Sequence, residues 1–220
     1  MKTPYIEMKN VCYSIENRDI IKDLNLSIDR GKFVAVVGEN GCGKTTLTKL
    51  LLGILKKESG KITVDGKEIE KYKLHEIGAK IGYVFQNPSY QMFAPTIEEE
   101  LSFAMKYKGI DDDTIKYKVE EIIDRFSLED ARDVTTYNLS QGEKQRLALG
   151  CMMLNEPEFM ILDEPTVGLD AERKHTLYEH LSEVNKQGVG IMIISHDREI
   201  LKKYAQRIII LKDGRTYESI

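Results

Sequence analysis

The stretch that decides the fold reads FVAVVGENGCGKTTLTKLL and runs from Phe33 to Leu51. It begins with a continuous apolar run, which is typical of a central strand in a parallel sheet covered on both faces. A glycine-rich turn follows, and after it Leu47, Leu50, Leu51 and Ile54 recur at helical spacing. Strand, turn and helix in this order predict an α/β fold with a parallel sheet.

The turn itself, GENGCGKTT, fits the pattern G-x-x-x-x-G-K-[ST], in which backbone N–H groups converge on phosphate oxygens. The N-terminus of the following helix adds positive potential. We expect Lys44 to reach the β- and γ-phosphates, Thr45 to ligate Mg²⁺ and Thr46 to help hold the α-phosphate. An ordinary strand-turn-helix with an exposed lysine is the alternative. The residues expected to contact the nucleotide here are Asn40, Gly41, Cys42, Gly43, Lys44, Thr45 and Thr46.

Polar side chains follow three further apolar runs. Asp163 and Glu164 end FMILDE, His196 follows IMIIS, and Gln86 follows YVF. The carboxyl ends of parallel strands share the sheet edge at which α/β proteins bind ligands. We therefore expect Asp163 to hold Mg²⁺ and Glu164 to orient or deprotonate a water. His196 is expected to contact the γ-phosphate, and Gln86 to ligate Mg²⁺ or sense that water. Solvated strand ends and a structural histidine are the alternatives.

The rest of the chain divides into three parts. YIEMKNVCYSI and IIKDLNLSI near the N-terminus alternate apolar and polar residues, which indicates half-buried antiparallel strands. The middle reads as helices, with Thr96 as an N-cap and Asp111–Asp113 as a solvated cap region. The last third alternates strand and helix, with a helix predicted over Ala171–Lys186.

Composition narrows the possible classes of protein. The formal net charge is −4 and the basic residues are scattered, so we expect no nucleic-acid partner. Three widely spaced cysteines indicate a reducing compartment without a disulfide framework. The N-terminus has no apolar signal region, and no apolar run approaches the roughly 18 residues of a membrane span. Any role at a membrane would therefore depend on a partner.

The stretch LSQGEKQRLALG, Leu139 to Gly150, predicts a helix with a capping box between Ser140 and Glu143. Gly142 lies in the first turn, where glycine costs roughly 0.5–1 kcal/mol relative to alanine. A bare backbone at a helix N-terminus offers a second anion site on the same chain. A two-fold dimer, in which this end of the helix meets the γ-phosphate bound by the other subunit, explains both sites.

Taken in order, the motifs resemble those of the nucleotide-binding subunit of ABC transporters. GENGCGKTT is similar to its Walker A motif, VFQNP to its Q-loop, LSQGEKQ to its signature sequence, FMILDEP to its Walker B motif, VGLD to its D-loop and ISHD to its switch histidine. Gln141 stands where the family commonly has glycine. The resemblance covers essentially the whole chain.

The resemblance implies an α/β P-loop NTPase. Its parts would be a RecA-like parallel sheet core, an N-terminal antiparallel β subdomain and an α-helical subdomain inserted at about 88–157, all in one ABC ATPase domain of residues 1–220. It implies ATP hydrolysis with Mg²⁺, with Lys44, Gln86, Glu164 and His196 as the catalytic set. Ser140, Gln141 and Gly142 would contact the nucleotide of the opposite subunit in a homodimer or a heterodimer with a paralogue. Tyr13 is the aromatic candidate for contacting adenine, and Ile15 stands where the family often has that ring.

The segment QNPSYQMFAP, Gln86 to Pro95, resembles the Q-loop region of energy-coupling-factor transporter ATPases, which serve vitamin, cobalt and nickel uptake. It implies a groove that receives integral membrane subunits, at the cytoplasmic face of the cell membrane; local packing is the alternative. An ABC exporter ATPase and a soluble ABC ATPase of another class remain open. A small-molecule kinase does not account for LSQGEKQ.

Overall fold

A computed structural model describes residues 3–219, without the side chains of residues 198–200 and 219. The strands are β1 Ile6–Ile15, β2 Arg18–Ile28, β3 Phe33–Val37, β4 Ser59–Val64, β5 Lys67–Glu68, β6 Ile81–Val84, β7 Phe159–Asp163, β8 Gly190–Ile194, β9 Arg207–Lys212 and β10 Arg215–Ser219. The helices are α1 Lys44–Leu51, α2 Leu74–Lys80, α3 Ile97–Tyr107, α4 Asp112–Arg125, α5 Gln141–Leu154, α6 Ala171–Lys186 and α7 Arg198–Tyr204. Within the described part of the chain, every helix is too short or too polar to cross a bilayer.

The central sheet has the strand order β10-β9-β3-β8-β7-β6. Strands β9, β3, β8, β7 and β6 run parallel, and β10 pairs antiparallel with β9. The predicted parallel sheet is therefore confirmed. Because the strands are parallel, the loops after β3, β6, β7 and β8 all leave from one edge of the sheet, where the predicted site residues lie.

Strand β3 shows why its sequence is continuously apolar. Phe33, Ala35 and Val37 face a core formed with the helices, whereas Val34 and Val36 face a second core formed with the antiparallel strands. That second sheet has the order β2-β1-β4-β5 with antiparallel pairing throughout, as predicted. Burial on both faces removes the alternation that a half-exposed strand would show.

The helix ends follow their predicted caps, with one exception. Thr96 and Asp111 accept hydrogen bonds from the backbone N–H groups of Glu99 and Thr114, at the starts of α3 and α4. The prediction that Ile54 belongs to the first helix is wrong, since α1 ends at Leu51 and Ile54 is 49% exposed. The reason is Gly53, whose φ of 68° places it in the left-handed conformation that ends helices.

Candidate nucleotide-binding site

The loop after β3 depends on its glycines. Gly41 and Gly43 have φ values of 79° and 107°, which side chains disfavour. A Cβ atom on Gly38 would lie 2.3 Å from the backbone oxygen of Leu211 on β9. The loop therefore lies flat against the sheet edge, where its backbone N–H groups can face a ligand.

Lys44 is buried at the start of α1, with 8% of its surface exposed. Its ammonium donates to the backbone oxygens of Gly38 and Glu39, each at 2.9 Å. An ammonium has three N–H donors, so one remains for a phosphate oxygen. Lys44 thus lies inside the curve of the loop, as the phosphate-loop interpretation requires.

The remaining loop residues differ in exposure. Asn40, Gly41 and Thr45 are exposed, whereas Thr46 is half-buried. Cys42 is also half-buried and packs against the core of the antiparallel sheet. Burial raises the pKa of the Cys42 thiol, so Cys42 would contribute its backbone to a ligand rather than a thiolate.

Asp163 lies against Thr45, as the sequence predicted for a shared magnesium site. The Thr45 hydroxyl donates to Asp163 Oδ2 at 3.1 Å, and Asp163 is 3% exposed. Burial raises the pKa of this carboxyl group. No group of three or more His, Cys, Asp or Glu side chains in the described chain could hold a metal ion by itself. One carboxylate and one hydroxyl fit Mg²⁺, which is commonly bound through few protein ligands together with substrate phosphates.

Tyr83, on the neighbouring strand β6, also belongs to the site, although no sequence motif marks it. Its hydroxyl group lies 3.3 Å from Asp163 Oδ2 and 3.3 Å from Thr48 Oγ1. Burial raises the pKa of Tyr83 above its usual range, so the hydroxyl group keeps its proton. Only the pairing of β6 with β7 brings the Tyr83 side chain to Asp163, and no local sequence pattern predicts this contact.

Glu164 and His196 come together at the sheet edge. Glu164 Oε1 and His196 Nε2 are 2.9 Å apart, with the Glu164 side chain 8% and the His196 side chain 54% exposed. The contact has an ion-pair distance without hydrogen-bond geometry, because Oε1 has no hydrogen-bond partner among residues 3–219. Burial raises the pKa of Glu164, opposed by the charges of His196 and Lys44. A buried carboxylate whose pKa is raised is suited to accept a proton from a bound water.

The backbone conformation also sets the direction of the Glu164 side chain. Its φ is 49°, in the left-handed region that non-glycine residues rarely adopt. Its N–H donates to the backbone oxygen of Ile194 on β8 at 2.9 Å. Such conformations cost about 1–3 kcal/mol and cluster at functional sites, because surrounding structure must enforce them.

Gln86 is exposed and makes no hydrogen bond within the described residues, so the structure does not bring it against Asp163. Gln91, which the sequence analysis did not single out, fixes the backbone beside it. The Gln91 side chain accepts from the Phe85 N–H at 3.0 Å and donates to the Tyr83 backbone oxygen at 2.9 Å. Gln91 therefore fixes the backbone immediately before Gln86.

The capping box at the start of α5 is confirmed. Ser140 Oγ accepts from the Glu143 N–H at 3.3 Å, and Glu143 Oε2 accepts from the Ser140 N–H at 2.7 Å. The Ser140 hydroxyl also donates to Glu143 Oε2 at 2.7 Å, so donation to a phosphate would require it to exchange this contact. These bonds to Ser140 lower the pKa of Glu143. Ser140 and Gln141 are exposed, so this helix end is open to an incoming anion.

Crowding within the chain does not explain why residue 142 is a glycine. A Cβ atom there would lie 3.6 Å from Leu169 Cδ2 and 3.7 Å from Arg146 Nη1, which are ordinary contacts. The fold of one subunit tolerates a methyl group at this position. This observation agrees with the hypothesis that glycine is needed here for the approach of a phosphate bound by a second subunit.

The aromatic candidate for adenine lies on β1. Tyr13 is half-buried and packs against the antiparallel-sheet core, whereas Ile15 is 47% exposed. The Tyr13 ring therefore already has packing partners within the chain.

Three features together define a P-loop nucleoside triphosphatase: a parallel sheet, a glycine-rich loop that leads from it into a helix, and a buried aspartate against the loop's threonine. The sequence pattern of the ABC transporter family matches residues 21–167. The chain belongs to this family and is an ATPase that binds ATP.

Two relatives show the extent of the similarity. The energy-coupling factor transporter ATP-binding protein EcfA of Methanothermobacter thermautotrophicus is 37% identical over 212 residues, covering 95% of this chain and 68% of that protein. A protein of Methanosarcina acetivorans, named as an ABC transporter ATP-binding protein, is 34% identical over 215 residues. The chain spans only 35% of that second relative.

Solved structures agree with the fold. The cbiO1 protein of Clostridium perfringens, part of the ABC transporter complex cbiONQ, superposes with a TM-score of 0.86 at 32% identity, covering 98% of this chain and 88% of that one. The ATP-binding cassette MJ0796, in a dimeric post-hydrolysis state bound to ADP and Pi, superposes with a TM-score of 0.87 at 25% identity, covering 97% of both chains.

Proposed function

We propose that this ABC transporter ATP-binding subunit is the motor of an energy-coupling-factor-type importer for a vitamin or a metal ion. The similarity to EcfA over 95% of the chain and to cbiO1 supports this subtype. The motor would act at the cytoplasmic face of the membrane, closing as a homodimer or with a paralogue when ATP binds.

The chemistry follows from the geometry of the site. Lys44 and the loop N–H groups would hold the phosphates, and Thr45 and Asp163 would hold Mg²⁺, with Gln86 moving in as a further ligand. Bound Mg²⁺ would neutralise charge on the β- and γ-phosphates. Glu164 would accept a proton from the attacking water, and His196 would steady Glu164 and contact the γ-phosphate. Ser140 of a second subunit would complete the site.

The observation that carries the transport role is an apolar groove of about 420 Å³ beside the Gln86–Pro95 segment. Its rim exposes large side chains, with Leu74 65%, Phe93 53% and Phe103 53% exposed. Exposed apolar surface of this kind marks a binding site for a partner. A short apolar helix of an integral membrane subunit fits the shape and chemistry.

The rim of the groove is built to hold its shape. Buried Glu100 accepts from the backbone N–H groups of Phe93 and Ala94 at 3.0 and 2.7 Å. Tyr137 donates to the Phe93 backbone oxygen at 3.2 Å, and Thr136 donates to that of Ala94. The rings of Phe93 and Phe103 meet edge-on at 4.6 Å. A rigid rim lets the groove transmit movement of its occupant to the Gln86 segment.

The test is purification in detergent from the native host. We expect a multi-span membrane protein to accompany the wild-type chain, and Phe103→Glu to lose it while keeping basal ATPase activity. Tyr117→Glu, at a 71% exposed position on α4 outside the groove, is the control and should keep the partner. ATPase stimulation by nucleic acid, without a membrane partner, would contradict the proposal and favour a soluble ABC ATPase.

A further inference from the structure

Tyr83 is a half-buried polar side chain to which the proposed chemistry assigns no task. It lies on β6 opposite Ile161 of β7, and its hydroxyl group lies 3.3 Å from Asp163 Oδ2. The same hydroxyl group lies 3.3 Å from Thr48 Oγ1. Thr48 is completely buried and donates to the Thr45 backbone oxygen at 2.9 Å. Tyr83 thus joins the first turn of α1 to the end of β7.

The contacts among these residues close a ring that includes one oxygen of the Asp163 carboxylate. Asp163 Oδ2 accepts from Thr45 Oγ1 at 3.1 Å and lies 3.3 Å from the Tyr83 hydroxyl group. Both hydroxyl groups approach Oδ2, which leaves Oδ1 free of these bonds. Two partners on one oxygen fix the rotation of a carboxylate more firmly than a single partner does.

Thr45 alone could not do this during turnover, because its hydroxyl group is itself expected to face the metal ion. The Tyr83 hydroxyl group, which also contacts the completely buried Thr48, is a second partner of Asp163 Oδ2 that does not depend on Thr45. Side chains that hold metal ligands in place typically change metal affinity or activity by about 10–100-fold when they are removed.

We propose that Tyr83 is a positioning residue that holds Asp163 in the orientation needed to bind Mg²⁺. The inference rests on the proposed magnesium-nucleotide site. Tyr83 would touch neither the nucleotide nor the metal ion and would act only through Asp163.

The informative variant is Tyr83→Phe. The Tyr83 ring packs edge-on against Phe85 at 4.6 Å and borders the apolar groove, so a smaller residue would disturb both. Phenylalanine keeps the ring and removes only the hydroxyl group. Tyr72→Phe is a matched control, because its hydroxyl group donates to the Val64 backbone oxygen at 2.9 Å, within the antiparallel-sheet region.

The experiment follows thermal unfolding of each protein with saturating ADP while MgCl₂ is titrated. We expect the Mg²⁺ concentration for half of the metal-dependent stabilisation to rise about tenfold in Tyr83→Phe and to stay unchanged in Tyr72→Phe. Stabilisation by ADP in EDTA should be the same in all three proteins.

The outcomes separate this inference from the proposed function. If Tyr83→Phe lowers the melting temperature of the ligand-free protein but leaves the Mg²⁺ midpoint at the wild-type value, the role is structural and the inference is wrong. If wild-type protein shows no stabilisation by ADP at any Mg²⁺ concentration, the proposed site is wrong, and so is this inference.

Discussion

Gly142→Glu is the substitution that tests the second-subunit site most directly. The position accepts a side chain, because a Cβ atom there makes only ordinary contacts at 3.6 and 3.7 Å. In the proposed dimer the new carboxylate would lie near the γ-phosphate held by the partner. Two like charges about 4 Å apart repel by about 4 kcal/mol at an effective dielectric constant of about 20, and salt lowers this value. A net cost of about 2–4 kcal/mol weakens dimerisation roughly 30- to 1,000-fold.

The measurement is sedimentation velocity with ATP and Mg²⁺ in a Glu164→Gln background. That background removes the proposed base, so we expect turnover to fall about 10²–10⁴-fold and the ATP-bound dimer to accumulate. Gly142→Glu should bind ATP as a monomer and fail to dimerise.

Gly78→Glu is the control for added charge. It places the same side chain on helix α2, where a Cβ atom has nothing within 4 Å, and it should dimerise normally. An equally strong dimer from the Gly142→Glu protein would refute the reasoning.

Two further predictions concern stability. Glu100→Ala should lower the free energy of urea unfolding by about 2–4 kcal/mol, because two backbone N–H groups lose their acceptor. Glu100→Gln keeps an oxygen acceptor and should stay within about 1 kcal/mol of wild type. Equal losses of unfolding free energy in both variants would contradict this. Lys80→Met removes ion pairs to Asp65 and Glu158 at 3.0 and 2.7 Å that are partly exposed, so it should cost only about 0.5–1 kcal/mol at pH 7. The hydrogen bond from Lys80 lowers the pKa of Asp65, so this stabilisation is present above the ordinary carboxyl pKa and is lost as pH falls through the lowered one. The difference between the two unfolding free energies should therefore shrink as the pH falls below about 4, and a difference that stays constant through the acid range would argue against the ion pairs.

Local patterns of the sequence were enough to predict most of the fold. The apolar run at Phe33–Val37, the glycines of the loop and the caps at Thr96, Asp111 and Ser140 each act through residues close in the chain. The parallel sheet followed from the alternation of continuously apolar strands with helices, and the shared edge for the polar residues followed from the parallel sheet. Ile54 was placed wrongly because the left-handed turn at Gly53 ends the helix, although the leucine spacing continues beyond it.

The sequence by itself predicted which residues lie at the carboxyl edge of the sheet: Lys44, Thr45, Asp163 and Glu164 each stand at or after the end of a strand whose direction the pattern reveals. Only the tertiary structure decided how these side chains are held. The contact of Tyr83 with Asp163, the bonds from Gln91 to the backbone around Phe85, and the approach of His196 to Glu164 all join different strands or loops. Such contacts depend on strand order and register, which a one-dimensional pattern does not contain. The physical reason is that hydrogen-bond geometry is satisfied within tenths of an ångström, and only the packed sheet sets distances that finely.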